Sequence, residues 1–126
     1  MPTAIQRHRH QAFQTQSQRC FYCGAPMWET DPSKFAAHFR LSIAEAGHFR
    51  CTAEHLVARK DGGKNIGANI SAACLFCNRT RHRAANALPS EQFQKKVRQR
   101  LKQGKWHPPH ILLALHMGIS NRPSEE

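Results

Sequence analysis

Residues 51–82 read CTAEHLVARKDGGKNIGANISAACLFCNRTRH, and the fold turns on this stretch. Residues 49–57 predict a strand, closed by the turn signal Lys60-Asp61-Gly62-Gly63. Asn65 to Asn69 continue the loop, and Ile70 to Ala73 leave room for a short second strand. A helix is then expected from about residue 76 to 87, stopped by Pro89.

Upstream, Cys20-x-x-Cys23 matches the downstream pair Cys74-x-x-Cys77. A disulfide scaffold would use an even cysteine count in a secreted chain, and this chain has five cysteines. A redox motif would be expected once, not twice. Two thiolate pairs brought together by folding make a tetrahedral sulfur site suited to Zn²⁺, with paired free or redox thiols as the alternative. Cys51 stands apart and reads as a small buried side chain.

Further outward, residues 1–19 read as a basic polar arm, either a solvated tail or a marginal helix whose Arg7 to His10 touch phosphates. Asp31-Pro32 starts a helix expected over 32–46, with Phe35, Phe39 and Ile43 spaced by four and Gly47 at its end. Ser90 can cap a helix over 91–103, carrying Phe93, Val97 and Leu101. A short apolar segment follows at 106–117, packing on the core, and residues 118–126 read as a disordered tail. The expected organisation is therefore an arm at 1–19, a core at 20–88, a C-terminal basic helix and apolar segment at 89–117, and the tail.

Charge bounds the partner. Nineteen Lys and Arg against eight Asp and Glu give a formal net charge of +11, which favours a polyanion, nucleic acid first. The longest apolar run, Ile111 to Leu115, is far short of the ~20 residues of a membrane span. The N-terminus carries no apolar signal region, so the expectation is an intracellular, cytoplasmic protein with no membrane partner.

Glu54-His55-Leu56-Val57, Gly62-Gly63, Asn69-Ile70 and Cys74-x-x-Cys77-Asn78-Arg79-Thr80-Arg81, with Cys20-x-x-Cys23, resemble the HNH endonuclease family. The resemblance covers residues 20–83. It implies an α+β fold, a ββα-metal core with a four-cysteine structural zinc site, flanked by helices. It also implies a metal-dependent endonuclease that hydrolyses phosphodiester bonds in DNA, with RNA as a further substrate reading. On that pattern His55 is the general base, and Glu54 and Asn78 are ligands of a catalytic Mg²⁺ or Mn²⁺. Asn69 braces the loop, and Cys20, Cys23, Cys74 and Cys77 hold Zn²⁺. Two departures stand out: the family often has Asp where this chain has Glu54, and His where it has Asn78. Both substitutes keep an oxygen ligand.

The residues also carry a physical case. A neutral imidazole can take a proton from water near neutral pH, and a carboxylate with an amide oxygen can hold a divalent cation while leaving positions open. Neighbouring strand residues point to opposite faces, so Glu54 and His55 share a site only if the strand end twists or bulges; otherwise Glu54 is no ligand.

From Arg79 to Lys105 nine cations face the single Glu91. Arg79, Arg81, His82 and Arg83 are expected at the phosphates flanking the scissile one. Lys95, Lys96, Arg98 and Arg100 either extend that grip or form a solvated face. Cutting both strands calls for two active sites, hence a homodimer or sequential nicking. The competing reading is a non-catalytic, zinc-stabilised nucleic-acid-binding module.

Overall fold

A computed structural model describes residues 1–117; the tail expected at 118–126 lies outside the described residues. The centre is a two-stranded antiparallel sheet, β1 (Cys51–His55) and β2 (Ile70–Cys74), followed without a break by α4 (Leu75–Arg83). Cys51 pairs with Cys74 and His55 with Ile70, so the strand ends are in step. β1 is shorter than the expected 49–57 because the loop pairs with the chain beyond it: Leu56 N–H donates to Asn69 O, and Val57 N–H to the Asn69 side chain.

The two glycines of the turn do different jobs. Gly62 takes a left-handed φ of +93°, while a Cβ on Gly63 would stand 1.7 Å from the Val57 carbonyl oxygen. The loop therefore folds back on the strand end only with glycine at residue 63.

Residues 4–15 form α1 (Ala4–Thr15), started by a capping box between Thr3 and Gln6. It is no free arm: Phe13 is buried, and the Gln16 side chain just past its end both donates to and accepts from the Ala72 backbone of β2.

The helix expected over 32–46 is two helices, α2 (Pro32–Phe39) and α3 (Ile43–Gly47). Arg40 is left-handed between them at φ +58°, and Ser42 and Glu45 form a second capping box that restarts the helix. Phe35 is therefore buried, whereas Ile43, expected on the same stripe, is 56% exposed. Just after, a bridge between Trp28 and Arg50 ties the first knuckle's outgoing chain to β1.

α5 (Ser90–Lys102) and α6 (Pro109–Ala114) complete the core. Phe93 and Val97 are buried as expected, Phe93 packing edge-on against Tyr22 at 4.9 Å. Ile111, Leu112 and Leu115 are buried too, so the apolar C-terminal segment packs inward. No described helix is long and apolar enough to cross a membrane.

His107 is buried against Phe49 and Phe76, and its Nε2 has no hydrogen-bond partner among the described residues. Burial holds its imidazole down to about 4, below the ordinary 6.5. Its neutral form is the folded form, so its stabilisation is complete above pH ~6.5 and drains away as pH falls towards 4. His107→Phe should lose less stability than wild type between those two pH values. Urea melts across that interval read the difference, and parallel curves would refute it.

Candidate functional site

Two turns converge on a sulfur cluster. Cys20 and Cys23 sit on a tight turn closed by Gly24 N–H to Cys20 O, while Cys74 ends β2 and Cys77 lies in the first turn of α4. All four thiols are buried and their sulfurs lie within 4.8 Å of one another. Tetrahedral Zn–S bonds of ~2.3 Å require S···S edges of roughly 3.8 Å, and Cys23 Sγ lies 3.9 Å from Cys74 Sγ.

Backbone N–H groups of Tyr22, Cys23 and Cys74 point at Cys20 Sγ, that of Cys77 points at Cys74 Sγ, and the Trp106 indole N–H reaches Cys77 Sγ. These donors favour thiolates, whereas burial pushes the Cys74 and Cys77 thiols up, so a set of thiolates there needs a cation. The donor set and spacing fit a structural zinc ion. Cys51 lies outside the cluster, and burial pushes its thiol up to about 12, keeping it neutral.

Glu54 is the most deeply placed of the candidate site residues outside that cluster, 1% exposed. Its Oε2 accepts from Tyr22 Oη at 2.6 Å and from Arg81 at 2.7 Å, and its Oε1 lies 2.9 Å from His82 Nε2. Arg81 is therefore not a surface phosphate contact. Its guanidinium is buried and also donates to the Tyr22 hydroxyl and to the carbonyls of His55, Leu56 and Leu88. The reason is charge: a carboxylate drawn into the core of this small domain needs a cation beside it. His82, expected on phosphate, lies against the same carboxylate, one helical turn beyond Asn78.

Glu54 and His55 leave the strand on different sides, Glu54 buried and His55 partly open, as strand geometry demands. Both nevertheless line one cleft of about 340 Å³ with Arg59, Lys60, Asn78 and His82, because β1 ends at His55 and the chain turns there. His55 Nε2 is 2.8 Å from Asn65 Oδ1. Asn69 accepts from Val57 N–H at 2.8 Å and donates to the carbonyls of Val57 and Lys64, each at 3.0 Å, stitching the two sides of the loop. Asn78 donates its amide N–H groups to Thr52 Oγ1 and Ala53 O, and its Oδ1 has no hydrogen-bond partner among the described residues.

Of the expected basic contacts, Arg79, Arg83, Lys95, Lys96 and Arg100 are exposed. Arg98 instead ties α5 to the first knuckle by donating to the carbonyls of Tyr22 and Phe21. Sequence reasoning missed Arg59 and Lys60, whose signal was two adjacent cations just ahead of the Gly-Gly turn. It also missed Tyr22, which nothing marked beyond its place between two cysteines.

Removing zinc with a strong chelator, or replacing Cys74→Ser, should abolish the cooperative thermal transition, since such sites supply ~10–16 kcal/mol in finger peptides. Scanning calorimetry with metal analysis checks it, and an unchanged transition in zinc-free protein would count against a structural ion. Arg81→Ala should cost about 3–5 kcal/mol by stranding the Glu54 carboxylate. Denaturant melts would read a much smaller loss if the pair were dispensable.

Residues 38–84 match the family model described as HNH endonuclease. No curated protein and no solved structure matches the chain. The matched segment holds both strands, the Gly-Gly loop, the second pair of cysteines and α4, and the first cysteine pair lies ahead of it. The two-stranded antiparallel sheet running into a helix beside a four-cysteine cluster is consistent with an HNH ββα fold over the matched residues 38–84.

Proposed function

We propose that this protein is a metal-dependent endonuclease that hydrolyses DNA phosphodiester bonds. The observation that carries the reading is the shared cleft: His55, Glu54, Asn78, His82 and the exposed Arg59 line one cavity of about 340 Å³. Its walls offer a base, oxygen donors and a cation, the groups that phosphodiester hydrolysis needs.

In this reading His55 accepts the proton of the attacking water. Arg59, whose side chain makes no hydrogen bond among the described residues, faces the scissile phosphate and offsets its developing charge. Asn69 holds the loop that carries both walls. Glu54 and Asn78 would hold the Mg²⁺ or Mn²⁺, which supplies a Lewis acid at the phosphate and leaving oxygen. Glu54 would offer Oε1, whose one hydrogen-bond partner among the described residues is His82 Nε2 at 2.9 Å, because Oε2 is occupied by Tyr22 and Arg81. Exposed Arg79, Arg83, Lys95, Lys96 and Arg100 grip the flanking backbone, each neutralised phosphate adding ~0.9 to the slope of log K against log salt.

A second reading, nucleic-acid binding without cleavage, draws on Glu54 being fully engaged by Tyr22, Arg81 and His82. Supercoiled plasmid incubated with the zinc-loaded protein and Mn²⁺ or Mg²⁺ separates the two. Wild type should nick, His55→Ala should slow nicking by about 10²–10⁴-fold, and Arg59→Ala should slow it at saturating plasmid while the fold is kept. Wild type that binds plasmid and never nicks it, or a His55→Ala protein that nicks equally, favours the binding module.

A further inference from the structure

We propose that Asn65 is the positioning residue of this site: its side-chain carbonyl sets the tautomer and the ring orientation of His55. The inference rests on the nuclease reading and assigns a task to a loop residue that the reading leaves idle.

A neutral imidazole has one N–H donor and one bare nitrogen, and the partner of one nitrogen decides the state of the other. Asn65 Oδ1, an acceptor, stands 2.8 Å from His55 Nε2. That contact puts the proton on Nε2 and leaves Nδ1 as the bare nitrogen. Nδ1 has no hydrogen-bond partner among the described residues, and His55 lines the cleft. Proton uptake from water therefore falls to Nδ1.

The contact is held from both sides. On the histidine side, the main chain is pinned where Arg81 donates to the His55 carbonyl at 3.2 Å and Leu56 N–H donates to Asn69 O at 2.9 Å. What remains free is the ring's rotation, and Asn65 removes it. On the asparagine side, the residue just before it is fixed by the Asn69 amide, which donates to Lys64 O at 3.0 Å. Gly63 N–H to Ala58 O at 2.9 Å closes the same turn. The Asn69 brace thus acts on the cleft through Asn65.

The reverse arrangement, with the Asn65 amide donating to a bare Nε2, would leave Nδ1 protonated and useless as a base. An aspartate at residue 65 can only accept, so it separates the two.

The test compares wild type, Asn65→Ala and Asn65→Asp as zinc-loaded proteins. Long-range ¹H–¹⁵N spectra of the imidazoles are recorded in mildly alkaline solution without Mn²⁺, with the His55 signals assigned by their loss in His55→Ala. Wild type should show the Nε2–H tautomer, Asn65→Ala a mixture, and Asn65→Asp a return to Nε2–H. Cleavage with Mn²⁺ at saturating DNA should fall about 10–100-fold in Asn65→Ala and partly recover in Asn65→Asp, with plasmid affinity and melting temperature of Asn65→Ala unchanged. The same His55 tautomer in wild type and Asn65→Ala, equal cleavage by the two, or an Asn65→Asp protein with the tautomer mixture of Asn65→Ala overturns the proposal. If the tautomer follows residue 65 but wild type never cleaves DNA, the nuclease reading fails and the positioning role fails with it, while the hydrogen bond stands.

Discussion

Four sulfurs drawn within 4.8 Å of one another join two turns that the chain separates by half a hundred residues. Everything near the cleft is built out from that junction. Cys74 ends β2 and Cys77 lies in the first turn of α4, so fixing those sulfurs fixes the angle at which the helix leaves the sheet. The Cys20–Cys23 turn, held to the same point, delivers Tyr22 to the Glu54 carboxylate. A two-stranded sheet is marginal by itself in water. Here α1 and α4 pack on it beside the sulfur cluster, and Arg98 fastens α5 to the knuckle backbone.

A second constraint is electrostatic. Glu54 is buried where a lone carboxylate would be too costly to ionise, and Arg81 with the Tyr22 hydroxyl makes the charged form tenable. The same guanidinium closes the backbone of the strand end and of the segment after α4. One side chain thus serves charge and architecture together. This accounts for its absence from the surface despite lying in the most basic part of the sequence.

What was legible in the sequence were features of local chemistry. Paired cysteines, the Gly-Gly turn and the fourfold spacing of Phe93 and Val97 each have one dominant physical reading, and the chain folds accordingly. The break between α2 and α3 was legible in principle, since Ser42 and Glu45 spell a capping box, but the aromatic spacing of Phe35 and Phe39 masked it. The inward turn of Arg81 was not, because burial of a cation depends on a carboxylate 27 residues away in sequence. For the same reason His82 reads as one more surface cation until Glu54 is known to lie beside it, and the pairing of His55 with Asn65 exists only once the loop has closed.

Arg81 has a mechanical consequence as well. Its hydrogen bonds to His55, Leu56 and Leu88 lash the strand end, on one side of the helix, to the chain that follows that helix. Prising those segments apart would break several charge-assisted bonds at once. A single buried side chain therefore holds both segments in place, so losing it would release the strand end and the chain after the helix together.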